Sequence, residues 1–197
     1  MAFTVSNFKS NLSAAGGGAR PALFSIDIDS SFTTATTFTP ADNILVKAAS
    51  IPPSTIAPLT VNYAGRAYKW TGFRTFDNWT TTIINDENFS ARHKIMEWMR
   101  LISGYMTGDR DSTYGDASRS SSTTTPWKDG EATVKQLSTD GSVVQTYKFH
   151  NLWPTELAEI PVDWSNDAIE EYTVTWCYDS WSHGDGASST TNIVAGA

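Results

Sequence analysis

Apolar and polar residues alternate one for one along much of this chain, the period of a strand with one face buried. Phe24, Ile26 and Ile28 alternate with Ser25, Asp27 and Asp29, and strands are expected at residues 23–29, 43–50 and 59–63. Tyr63-Ala64-Gly65-Arg66 then supplies a glycine where a tight hairpin needs a positive φ, and the chain returns as RAYKWTG. The stretch IPPSTIAP before residue 59 carries three prolines, which lack ladder donors and so predict a sheet edge or exposed loop. Residues 76–84 are β-branched enough for a further strand.

At Asn85 the period changes. Asn85 to Asn88 offer a break and capping side chains, with Asp86 and Glu87 where a positive helix end favours carboxylates. Ala91, Ile95, Trp98, Met99 and Ile102 follow at helical spacing, with His93, Glu97 and Arg100 on the opposite side and Gly104 as a stop. Residues 104–130 form a long polar insertion, a contact loop or a tolerated surface insertion. Strands resume as EATVKQLS and VVQTYKFH around Thr139-Asp140-Gly141-Ser142, then LWPTELAEIPVDW and EEYTVTWCYDSW. Many strands, hairpin turns and one substantial helix predict a mainly β fold, an antiparallel β-barrel or sandwich with one packed α-helix. The organisation expected is a flexible N-terminal arm (1–20), a single domain (21–182) and a flexible tail (183–197).

Composition narrows the chemistry. A net charge of −7 without a basic cluster argues against nucleic-acid clamping. The single Cys177 excludes an intrachain disulfide, and no Cys/His spacing suits zinc. The absence of an apolar leader or of some 20 consecutive apolar residues predicts a cytoplasmic product with no membrane span. The three histidines, His93, His150 and His183, stand outside any hydrolase or metal motif, so no catalytic residue, metal or cofactor is expected. The carboxylates Glu156, Glu159, Asp163, Asp167, Glu170 and Glu171 fit no calcium loop and read as a solvated rim or a surface that repels a polyanion. Eight Trp, nine Phe and seven Tyr are ample for a core and an interface.

Two blocks carry more. GFRTFDNWTTTIINDENFSARHKIMEWM and LWPTELAEIPVDWSNDAIEEYTVTWCYDSW resemble the signatures of tail tube proteins of contractile-tailed, T4-like bacteriophages. ARPALFSIDI and KAASIPPSTIAPLTVNYAGRAYKWTG resemble the start of the same domain, so the likeness spans about residues 20–181 in the right order. It implies a structural virion protein of tail-tube or secretion-tube-like fold. Six copies would close into a ring, and rings would stack into a hollow tube within a contractile sheath. The partners implied are other copies of the chain, the tail sheath protein, a baseplate tube initiator, a tail terminator and a tape-measure protein, with DNA passing through without specific binding. Subunit contacts are then sought at Phe3, Phe8, Tyr105, Tyr114, Trp127 and Trp181, lumen-facing positions at Thr60, Asn62, Thr80 and Thr82, and core anchors at Trp79, Ile95, Trp98, Met99 and Trp176. The alternatives are a tube subunit of a contractile bacteriocin or secretion system, and a β-sandwich carbohydrate-binding module using Trp127 as a stacking platform.

Overall fold

The computed structural model describes residues 4–14, 16–29, 37–106 and 130–185. Its elements run α1 (Val5–Ala14), β1 (Phe24–Asp29), α2 (Pro40–Ile44), β2 (Val46–Ala49), β3 (Thr55–Tyr63), β4 (Arg66–Thr75), β5 (Trp79–Ile84), α3 (Ser90–Ile102), β6 (Gly130–Leu137), β7 (Val143–Leu157), β8 (Glu171–Cys177) and β9 (Ser180–Asp185). All pairings are antiparallel. The main sheet has the order β1-β6-β7-β8-β5-β2, with β9 beside β7, while β3 and β4 form a separate two-stranded ribbon.

The long strand β7 serves both halves of the sheet. Residues before its middle pair with β6 and β9, whereas Trp153 to Leu157 pair with β8. The change falls at Asn151, whose φ of 56° is a left-handed turn that Asn tolerates better than most side chains. The sheet therefore curls, and α2 joins the β1 edge to the β5–β2 end. Asn43 Oδ1 accepts from Ile28 N on β1 (3.1 Å), and Leu45 O, just past α2, accepts from Ile84 N on β5 (2.9 Å).

Inward-facing residues fill the curled sheet. Trp79 stacks on Phe149 with centroids 4.5 Å apart, and Trp176 lies 6.4 Å from Trp79 and 5.7 Å from Trp98. Trp98 belongs to α3, whose Ala91, Ile95 and Leu101 are also buried. Of the expected core anchors Trp79, Ile95, Trp98 and Trp176 are buried, while Met99 is half-buried against the same cluster. Gly130 lets α3 approach this closely, because a Cβ there would collide with the Trp98 ring and the Leu152 carbonyl. The NDE stretch caps α3 in part: Asp86 Oδ1 accepts from Ser90 N at 2.8 Å, although the residue at the cap itself, Phe89, is left-handed and makes no side-chain cap bond.

A buried polar knot ties α2 to α3. Asp42 is 3% exposed and receives hydrogen bonds from Thr39, Ser90 and Lys94, the last at 2.5 Å. Burial pushes its carboxyl pKa up, but the bonds from Lys94, Thr39 and Ser90 outweigh that and hold it at about 2.

Three expectations need correction. Residues 40–44, placed in or just before a strand, form a short helix opened by a Thr39/Asp42 capping box with Pro40 in the first turn. The arm contains a ten-residue helix, α1, with no buried residue. Thr4 Oγ1 accepts from Asn7 N, and Gly16 N and Gly17 N close on Ser13 O and Leu12 O, so both ends are capped by local sequence. Finally, β9 continues through Asp185, so 183–185 are strand and not tail.

Candidate assembly surface

The ribbon β3–β4 is where this chain departs from a self-contained domain. Its turn needs Ala64 and Gly65 at φ 50° and 76°, both positive as in a type I′ hairpin. Register places Leu59 opposite Trp70, Val61 opposite Tyr68 and Tyr63 opposite Arg66. Successive strand residues point to opposite faces, so these share one face; Thr60, Asn62, Ala67, Lys69 and Thr71 share the other. One side is thus apolar and the other polar, yet neither is covered. Leu59 is 59%, Tyr63 74% and Trp70 68% exposed, and Phe73 near the bulged root reaches 93%. An isolated two-stranded ribbon is at best marginal in water, and an uncovered apolar face of this size marks a contact surface.

The ribbon's root is fixed to the body. Trp79 Nε1 donates to Ser50 O (2.8 Å) and Trp181 Nε1 to Pro53 O (3.2 Å), while Phe76 lies 6.0 Å from Tyr178. Of the expected subunit contacts, Trp181 is half-buried, packs on the core and meets Tyr147 edge-on at 5.9 Å. Phe8 and Tyr105 are exposed as a contact would require, and Tyr105 Oη donates to Met96 O. Phe3, Tyr114 and Trp127 lie outside the described residues. The sequence reading overlooked the apolar ribbon face, although the alternation Leu59, Val61, Tyr63 and then Tyr68, Trp70 spells it out.

A second exposed apolar group lies on the connection between β7 and β8. Val162, Trp164 and Ile169 are 85%, 107% and 73% exposed. Asp163 Oδ1 accepts from the backbone and hydroxyl of Ser165, and Asn166 Oδ1 from Ala168 N, so short side-chain turns hold this connection. Those bonds, from the Ser165 backbone N–H first, lower the Asp163 pKa.

The outward faces of the two halves of the curled sheet differ. On one, Asp27 pairs with Lys135 and Glu131 with Lys148, an ion-paired ladder. On the other, Thr80 lies beside Thr175 and Thr82 beside Thr173, a hydroxyl surface with no charge among those four. The expected lumen positions Thr80 and Thr82 belong to this hydroxyl surface, and Thr60 and Asn62 to the polar face of the ribbon.

One cluster resembles catalytic machinery. His150 Nε2 lies 2.8 Å from Ser182 Oγ and His150 Nδ1 3.7 Å from Glu131 Oε1. The second distance is too long for a hydrogen bond, and Glu131 is held by Lys148 at 2.7 Å. The three side chains stand on neighbouring strands β6, β7 and β9. Among the described residues no group of His, Cys, Asp and Glu could hold a metal ion, and no helix is long and apolar enough to cross a membrane.

A curled antiparallel sheet with a packed helix, whose exposed apolar residues gather on a ribbon and a turn, suits a structural protein that assembles. The chain belongs to the phage tail tube protein family, whose model matches residues 4–184. It is 30% identical over 174 residues to the tail tube protein gp19 of Enterobacteria phage T4, and 31% identical to that of phage T6; each alignment covers 84% of this chain and 92% of the relative. It is thus a tail tube protein of the contractile-tail type. In fold it is similar to a chain of the sheath–tube complex, in the extended state, of an extracellular contractile injection system (TM-score 0.57, 13% identity, covering 93% of this chain and 99% of that one). The carbohydrate-binding alternative is not favoured.

Proposed function

We propose that six copies of this chain close into a ring and that rings stack into a hollow tube inside a contractile sheath. Such a tube would start on a baseplate initiator, end at a terminator and carry a tape-measure protein and then DNA. The subunits would be made in the host cytoplasm and play no enzymatic part. The observation that carries this reading is the β3–β4 ribbon, which spends ten exposed apolar or aromatic positions on a surface its own domain leaves bare.

The conduit role rests on surface chemistry. Polyanions bind where clustered Lys and Arg release counterions, and a wall of hydroxyls offers no such site. The Thr80/Thr82/Thr173/Thr175 surface and the Thr60/Asn62 face of the ribbon are the wall assigned to the bore; the ribbon face carries one cation, Lys69, set against a net charge of −7 per copy.

Purified full-length protein, concentrated and viewed by negative-stain microscopy, should give sixfold rings and stacked tubes. A sample that stays monodisperse and monomeric at high concentration, with no tube of this subunit in particles, sinks the reading.

A further inference from the structure

Two exposed turns share one bonding pattern and differ in the residue it encloses. In the β6–β7 turn Asp140 Oδ1 accepts from Ser142 N (3.0 Å) and Ser142 Oγ (2.7 Å), and between β7 and β8 Asp163 Oδ1 accepts from Ser165 N (2.9 Å) and Ser165 Oγ (2.8 Å). Gly141 stands in the middle of the first and Trp164 of the second. Gly141 has a φ of 85°, and nothing lies within 4 Å of the place a Cβ would take. Among the described residues Asp140-Gly141 is the one Asp-Gly pair.

The difference matters chemically. An aspartate's Cγ can close a five-membered ring with the backbone nitrogen of the next residue, and a side chain on that residue is what chiefly hinders the approach. Trp164 shields Asp163 in this way, and Gly141 leaves Asp140 open. From this contrast we propose that Asp140 isomerises spontaneously to isoaspartate, and that Ser142 restrains the reaction. In the first step the Gly141 nitrogen attacks Cγ, a C–N bond forms, and the carboxyl hydroxyl leaves with the N–H proton as water, giving a cyclic imide. In the second, water adds back and opens the ring. Cleavage between the nitrogen and Cγ restores aspartate, whereas cleavage between the nitrogen and the Asp140 main-chain carbonyl carbon leaves the chain running through Cβ and Cγ. The water lost is regained, and no oxidant or reductant takes part.

Ring closure needs the neutral carboxyl, because water leaves and oxide does not. The hydroxyl and then the backbone N–H of Ser142 favour the carboxylate and lower the Asp140 pKa, and Gly141 N must also give up Ser138 O (3.0 Å). Ser142 therefore slows the step. The product lengthens the main chain by one carbon inside a hairpin closed by Ser138 N to Ser142 O (2.8 Å). Nearby, Gln136 Nε2 donates to Arg20 O and Leu23 O, so the damage falls where the arm is tied to the sheet. This chemistry does not depend on the tube.

Purified full-length protein, kept warm at neutral pH and sampled over weeks, is digested and mapped by mass spectrometry. Isoaspartate is read as resistance to a protease that cleaves before aspartate and as methyl transfer by an isoaspartyl methyltransferase. It is expected at Asp140 and not at Asp163, several-fold faster in Ser142→Ala, and absent in Asp140→Glu, whose longer side chain closes a ring far less readily. Asp140→Asn should convert fastest, since ammonia leaves without a protonated carboxyl; its readout is the mass gain from amide to acid. The assignment is overturned if Asp140 stays aspartate in wild type and in Ser142→Ala alike, or if those two rates are equal. Isomerisation at Asp163 as fast as at Asp140, or an Asp140→Asn chain that keeps its amide, overturns it as well.

Discussion

The curled sheet with α3 and the β3–β4 ribbon are built from the same kinds of residue and put them to opposite uses. Trp79, Trp98 and Trp176 are at most 1% exposed and touch one another or Phe149, whereas Trp70 is 68% exposed and Trp164 wholly so. In the body an aromatic ring stabilises the monomer. On the ribbon it stays in water in the single chain, and in the proposed tube its free energy of burial would be available for assembly.

The sharpest way to break that comparison is to remove one tryptophan from each region. Trp98→Ala takes a ring from between Trp176 and the close approach of Gly130, and should cost about 3 to 5 kcal/mol in urea unfolding of the soluble subunit. Trp70→Ser should leave that stability within about 0.5 kcal/mol and instead reduce tube yield in the microscope. If Trp98→Ala left the midpoint unmoved, α3 would have to pack on a neighbouring copy. If Trp70→Ser destabilised the monomer by several kcal/mol, the ribbon would belong to the core.

Acid offers a second division, because Asp42 lies in the body and the ribbon has no carboxylate. The folded-state pKa of about 2 lies below the ordinary 3.8, so the folded protein favours the ionised form. The resulting stability is fully present above about pH 4 and is lost as pH falls toward 2, amounting to roughly 2.5 kcal/mol. Urea unfolding of wild type and Asp42→Asn at pH 6 and at pH 2.5 should show their difference shrinking by about 1.6 kcal/mol. A difference independent of pH would mean that Lys94 and Thr39 hold Asp42 equally well when it is protonated.

Much of the body was legible in the sequence because burial there is decided within one chain. Alternation at Phe24, Ile26 and Ile28 or at Tyr172, Val174 and Trp176 marks a face that the curled sheet then covers. Helical spacing found α3, though its stripe includes Leu101, which was not singled out. The same alternation at Leu59, Val61 and Tyr63 predicts a strand correctly and says nothing of what covers its apolar side. Among the described residues nothing covers it. Trp181 shows the converse: near the end of the recognisable domain it suggested a surface, and β9, paired with β7, sets its ring half-buried against Tyr147. The helices α1 and α2 were missed despite clear caps, since each is too short for apolar periodicity to accumulate over several turns.

The smallest effect tests whether a polar atom in the body serves the fold at all. Tyr172 is buried on β8 under the Arg92 guanidinium, which sits 5.0 Å from the ring centre, and its hydroxyl has no hydrogen-bond partner among the described residues. Burial, only partly offset by Arg92, pushes the phenol pKa up. An unpaired buried hydroxyl costs desolvation without return, so deleting it is neutral or favourable, whereas deleting a bonded one costs about 1 kcal/mol or more. Tyr172→Phe should therefore unfold within about 0.5 kcal/mol of wild type, on the stabilised side, and form tubes in normal yield. A loss beyond about 1.5 kcal/mol would show that the hydroxyl is bonded in solution. A normal monomer that no longer forms tubes would place Tyr172 in the assembly, against the division between a body that folds and a ribbon that joins.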